Sequence, residues 1–134
     1  MICTQISAGC LIPEDERKLH PRAKKKDINE DARLISIMWV NDELGTINPI
    51  PEIVSIAKEK NILFHSDAVQ ALGKIEINTE DIPVDYLSMS AHKLYGPKGV
   101  GALYKRGGAK LEPLIHGGGQ ESNLRASTEN VGGI

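Results

Sequence analysis

Three short apolar runs, LISIMWV from Leu34, ILFHSD from Ile62 and YLSMS from Tyr86, each lead into a cluster of polar side chains. Runs of this length suit buried strands and are too short for a packed helix. They are apolar throughout rather than alternating, which predicts a sheet covered on both faces, as in parallel α/β sheets. Between the first two, EIVSIAKEK places Ile53, Val54, Ile56 and Ala57 at helical spacing, and Asn61 suits a left-handed C-terminal position. NDELGTINPIP ahead of that helix reads as a loop with Gly45, Pro49 and Pro51 as breakers, and a turn is expected around Gly73. VGALYKR reads as a fourth strand, and the Gly-rich stretch from Lys110 to Ile134 mostly as loop. This order of elements predicts the α/β class with a mainly parallel sheet.

In open α/β sheets, ligands bind at the carboxyl ends of the strands. Three polar clusters fall there: Asn41-Asp42-Glu43, His65-Ser66-Asp67 and the stretch from Ser88 to Lys93. GPKGVGALY is not a dinucleotide fingerprint, because its third glycine position holds Tyr104 and it precedes a strand. Adjacent strand residues point to opposite faces, so His65, Ser66 and Asp67 cannot themselves make a nucleophilic triad. What remains is Lys93, directly after His92, with Asp67 26 residues earlier at another strand end. A lysine amine can form a Schiff base with a carbonyl substrate or with pyridoxal phosphate, whose ring nitrogen then needs an acidic partner. By pattern alone Lys93 fits that role or that of an ordinary surface lysine.

Composition narrows the alternatives. The 134 residues carry a net charge of −2, with 25% charged and 4% aromatic side chains, which favours neither nucleic acid nor a membrane surface as partner. No apolar run nears the roughly 20 residues of a membrane helix. The two cysteines, Cys3 and Cys10, make neither a disulfide framework nor a zinc pattern, and no metal site is expected. The N-terminal stretch has no basic region ahead of its apolar residues and is rich in acids, so a signal or transit peptide is not expected. The compartment expected is intracellular and reducing, cytoplasmic with a mitochondrial location left open. Residues 1–30 are expected to form a separate, poorly ordered segment whose Lys24-Lys25-Lys26 run is a solvated linker rather than an anion site. Residues 31–134 are expected to form the folded domain.

HSDAVQALGKI, SMSAHKLYGPKGVGALY, HGGGQESNLRASTENV and, upstream, NDELGTINPI together resemble the cysteine desulfurases, a group of class V aminotransferase-like enzymes. The resemblance covers about residues 31–134, and selenocysteine lyases are similar over the same stretch. It implies part of the three-layer α/β/α large domain of a fold type I pyridoxal-phosphate-dependent transferase. The implied reaction converts L-cysteine to L-alanine and leaves an enzyme-bound persulfide for iron–sulfur cluster or thio-cofactor assembly. The implied partners are a second subunit in a homodimer and a sulfur-acceptor or iron–sulfur scaffold protein. By resemblance, Lys93 holds the cofactor and later moves the substrate Cα proton. Asp67 pairs with the pyridine nitrogen, Gln70 bonds the ring hydroxyl, and Ser90 and His92 bind the phosphate. Thr128 reaches the phosphate of the neighbouring subunit. His65 lines the strand end or is a satisfied core histidine.

The chain also departs from the family's pattern. Asp42 stands beside the cofactor hydroxyl where the family has Asn, and a carboxylate there would repel a phenolate. Ala91 replaces a usual Gly. No cysteine follows Lys93, whereas the family's sulfur-accepting cysteine lies downstream of its lysine. The N-terminal half of the family, with its phosphate loop and ring-stacking His, has no counterpart in residues 1–30. The sequence therefore reads as a central piece of a larger fold, with a non-catalytic remnant as the alternative. The isolated chain is expected to expose sheet edges and to be unstable or to associate.

Overall fold

The computed structural model describes residues 28, 29 and 31–134. The expectations for residues 1–30, including the lysine run and both cysteines, fall almost wholly outside them. Four strands form one sheet: β1 (Leu34–Met38), β2 (Leu63–Asp67), β3 (Tyr86–Ser90) and β4 (Gly101–Lys105), in the spatial order β1-β2-β3-β4. The first three run parallel and β4 returns antiparallel to β3. One helix, α1 (Ile50–Glu59), connects β1 to β2.

The helix forms where its apolar spacing predicts. Ile50, Ile53, Val54 and Ala57 are buried, an i, i+3, i+4, i+7 stripe that faces the sheet. Glu52 in the first turn and Lys58 in the last complement the helix dipole. Pro51 does not break the helix but sits in its first turn, where a missing N–H costs nothing. Asn61 ends the helix in the left-handed region at φ 55°, as expected, and Ile62 N–H then bonds Ala57 O at 2.8 Å.

Beneath α1 lie Ile35, Ile37, Phe64 and Leu87, joined by Trp39, Ala68, Ala71 and Val84 in one core. Burial alternates along β1 and β2, so the expectation of a sheet covered on both faces needs correction. Among the described residues the face under α1 is the covered one along β1 and β2, while the other face is covered only locally, where Tyr86 of β3 is 8% exposed and bonds Lys110 O. Leu34, Leu63 and Leu103 are among the exposed large apolar side chains. Continuous apolar runs could not show this, because they suit a strand whose second cover lies elsewhere in sequence.

Asp85 ties the amino ends together. Its buried carboxylate accepts Lys58 Nζ at 2.6 Å and Phe64 N–H at 2.8 Å. Arg106 closes the segment ahead of β3 by donating to the carbonyls of Val84, at 2.8 Å, and Thr79. Asp85→Ala is expected to lower stability by about 2–3 kcal/mol. Most of that is the buried Phe64 N–H left without an acceptor, while the stranded charge of Lys58 counts for little because it keeps 37% exposure. Asp85→Asn, which can still accept from Phe64, is expected to cost under about 1 kcal/mol. Urea titration of the two variants distinguishes the two contributions.

Candidate active site

The carboxyl ends of β1, β2 and β3 share one edge of the sheet, and each carries a polar turn. After β1 the chain makes a flap, closed by the Val40–Ile47 bridge and by Asn41 N–H on Thr46 O at 2.9 Å. Asn41 Oδ1 accepts the N–H groups of Glu43 and Leu44 at 3.0 and 2.8 Å, an Asx turn that leaves Asp42 exposed at the tip. The flap is anchored by buried Asn48, which donates to Met38 O at 2.7 Å.

On β2, His65 and Asp67 lie on the open face and Ser66 on the covered face, where it donates to Ile37 O at 2.9 Å. Asp67 is half-buried and in register with Met38 on one side and Ser88 on the other. Its Oδ1 accepts Val69 N–H at 2.9 Å and starts the turn that carries Gln70. Gln70 Oε1 accepts Lys74 Nζ at 2.8 Å. The turn ends at Gly73, φ 74°, where a Cβ would stand 2.6 Å from Leu94 Cδ2. The Gln70 turn therefore packs directly against the residue following Lys93. Gly73→Ala is expected to displace Leu94 as well as strain the backbone, costing roughly 1 kcal/mol or more. Thermal unfolding of that variant checks it.

Beyond β3, Ala91–Lys93 form a single tight 3₁₀ turn. Ser90 Oγ and His92 Nδ1 lie 2.7 Å apart, and Leu94 and Gly96 N–H both bond Ala91 O. His92 and Lys93 are exposed, and no ion pair engages Lys93 among the described residues. Thr128 is exposed in the last segment, and no hydrogen bond joins it to Asp67, Ser90 or Lys93 among the described residues.

Sequence reasoning left His65 open and missed its partners. Its Nδ1 lies 2.7 Å from Ser36 Oγ and its Nε2 3.2 Å from Ser88 Oγ. The signal was the period of two, which puts Ser36, His65 and Ser88 on one face, but the strand register needed the fold. Burial pushes the His65 imidazole below its ordinary 6.5, and the charge of Asp67 opposes this more weakly. The folded chain thus binds a proton at His65 less readily than the unfolded chain. That contribution to stability is complete above the unfolded value and falls as the pH drops from there towards the lowered folded value. His65→Gln is expected to flatten this acid-side loss, as urea midpoints measured across that range would reveal.

A hollow lined by Lys58, Asn61, Leu63, Asp85 and Gly108 opens at the amino ends of β2 and β3. It lies at the edge opposite the polar turns, and its two charged groups are paired with each other.

The sequence model described as Aminotransferase class-V matches residues 7–131, a span that begins inside the segment set apart above as residues 1–30. A protein of Dictyoglomus turgidum named cysteine desulfurase IscS is 58% identical over 124 residues, covering 92% of this chain and 32% of that protein. One of the same name from Clostridium botulinum is 59% identical over 110 residues, covering 82% and 28%. A mitosomal cysteine desulfurase of Trachipleistophora hominis is 53% identical over 106 residues, covering 78% and 24%. Among solved structures, a NifS-like protein superposes with a TM-score of 0.82 at 50% identity, covering 87% of this chain and 32% of that one. SspA in complex with cysteine gives 0.81 at 46%, covering 84% and 33%. The chain spans a quarter to a third of the length of these relatives. With a mainly parallel α/β sheet, a matching sequence model over most of its length and relatives of more than half identity, the chain belongs to the aminotransferase class-V family.

Proposed function

We propose that this chain carries the lysine-bearing part of a pyridoxal-phosphate-dependent cysteine desulfurase. The observation that carries the reading is the placement of Asp67 and the Lys93 turn at one sheet edge, joined through the contact of Gly73 with Leu94. The residues fit the cofactor. Among the described residues, Lys93 offers an amine without an ion-pair partner for its aldehyde, and Asp67 keeps one carboxylate oxygen without a partner for a ring N–H. Ser90 and His92 form an exposed polar pair suited to the phosphate, and Gln70 reaches the same edge. Asp42 sits at the exposed flap tip, and Thr128 serves a neighbouring subunit, which makes the working form a homodimer.

When bound, the cofactor supplies an electron sink that makes the substrate's Cα–H acidic and its Cβ–S bond labile. Asp67 holds the proton on the ring nitrogen. Lys93 would hold the cofactor through its amine and, when that amine is free, would carry the proton taken from the substrate's Cα. A thiolate attacking the substrate sulfur would take it as a persulfide, while the Cβ–S electron pair would stay on Cβ and pick up the proton given up by the substrate thiol, leaving alanine. Residues 11–134 contain no cysteine, so that thiolate is not drawn from them. The sulfur passes on to an acceptor or iron–sulfur scaffold protein.

The names of the relatives and the cysteine bound to SspA support L-cysteine over L-selenocysteine as substrate. No helix of the described residues is long and apolar enough to cross a membrane, and we assign the protein to the cytoplasm or to a mitochondrion-like organelle. The test is alanine formation from L-cysteine and from L-selenocysteine by the pyridoxal-phosphate-loaded protein, in the presence of a reductant. Alanine from cysteine is expected, and loss of it in Lys93→Ala. Alanine from selenocysteine alone would replace the reading with a lyase, and none from either would refute it.

A further inference from the structure

Ser36, His65 and Ser88 come from three adjacent strands and make one hydrogen-bonded chain across the open face. Asp67 lies two residues beyond His65 on the same side of β2. The Asp67 charge is felt at the His65 ring, and a ring free to turn towards that carboxylate could form a charge-assisted bond with it. Here both ring nitrogens are engaged by serine hydroxyls, in whichever tautomer the ring adopts. Asp67 Oδ1 is meanwhile held by Val69 N–H, and Oδ2 has no partner among the described residues.

We propose that Ser36 and Ser88 are positioning residues that hold the His65 ring off Asp67, so that Oδ2 stays available to the ring N–H of a bound cofactor. The inference rests on the cofactor reading above and adds to it a reason why Asp67 is not already neutralised by its own neighbour. Two other polar groups on this face could act on the ring, and neither competes. Tyr86 donates its hydroxyl to Lys110 O, and Lys105 donates to Ala109 O at 3.0 Å. On this face β1 adds only the uncharged Leu34 and Met38. Burial of His65 works in the same direction as the serines, since it disfavours the charged ring that Asp67 would attract.

The experiment uses the whole protein labelled with 15N-histidine, with the His65 signals assigned by their loss in His65→Leu. In the unliganded wild type, the ring is expected to be neutral near neutral pH. In Ser36→Ala/Ser88→Ala it is expected to become protonated, and pyridoxal phosphate binding to weaken by roughly tenfold or more, the size of one hydrogen bond to a charged group. Adding His65→Leu to that double variant is expected to restore binding to within about twofold of wild type, because the competitor is gone. Serines that merely brace the strands would make the triple variant as weak as the double one, and that result would overturn the proposal. So would a ring that stays neutral in the double variant. Should the double variant lose its fold, Ser88→Ala with and without His65→Leu carries the same comparison. If wild type binds no pyridoxal phosphate, the cofactor reading fails, while the charge state of the ring still decides whether the serines restrain it.

Discussion

Asp67→Ala is expected to weaken pyridoxal phosphate binding by roughly thirtyfold or more, equivalent to about 2 kcal/mol, the lower end for truncating one partner of a hydrogen-bonded charge pair. In the proposed site Asp67 has two tasks. Its Oδ1 holds the Val69 N–H that begins the Gln70 turn, and its Oδ2 has no protein partner among the described residues. Asp67→Asn separates the tasks, since the amide oxygen can still accept from Val69 while the charge is lost. The Asn variant is expected to keep its thermal midpoint yet bind cofactor nearly as weakly as the Ala variant. Absorbance titration with pyridoxal phosphate, beside thermal unfolding, measures both. Wild-type affinity in Asp67→Asn would mean that the carboxylate charge plays no part in binding.

The second large effect concerns the two faces of the sheet. Phe64→Ala in the 134-residue chain is expected to cost about 3–5 kcal/mol, because Phe64 is fully buried between β2 and α1. That is a large share of the roughly 5–15 kcal/mol that keeps a domain folded. Leu103→Ala, on the open face at 48% exposure, is expected to change stability by less than about 0.5 kcal/mol. It should also reduce self-association, since Leu34, Leu63 and Leu103 leave apolar surface in water. Urea unfolding with sedimentation at several concentrations checks both. Comparable costs for the two substitutions would show that the open face is covered in solution.

Much of this arrangement was legible in sequence because its signals are local. The three apolar runs became β1, β2 and β3, Asn61 took the left-handed position, and His65 and Asp67 fell on the face opposite Ser66. Pro51 misled because the same residue that ends a helix also suits its first turn. The open face was not legible, since a buried strand and a strand awaiting a second layer share one pattern. Register was also hidden. Nothing in SIMWV, FHSD or YLSMS says that Ser36 and Ser88 meet His65, or that Asp85 reaches Phe64 and Lys58. For the candidate site, Asp67, Gln70, Ser90, His92 and Lys93 stood out by motif. The contact between Gly73 and Leu94 that joins their turns emerged only in three dimensions.

The central claim is that Lys93 is the residue that holds pyridoxal phosphate. Borohydride reduction of the protein mixed with pyridoxal phosphate, followed by peptide mapping in a mass spectrometer, tests it directly. A single pyridoxyl label is expected in the peptide containing His92 and Lys93, absent in Lys93→Ala. Labels scattered over exposed lysines such as Lys60, Lys98 and Lys110, unchanged in Lys93→Ala, would contradict it.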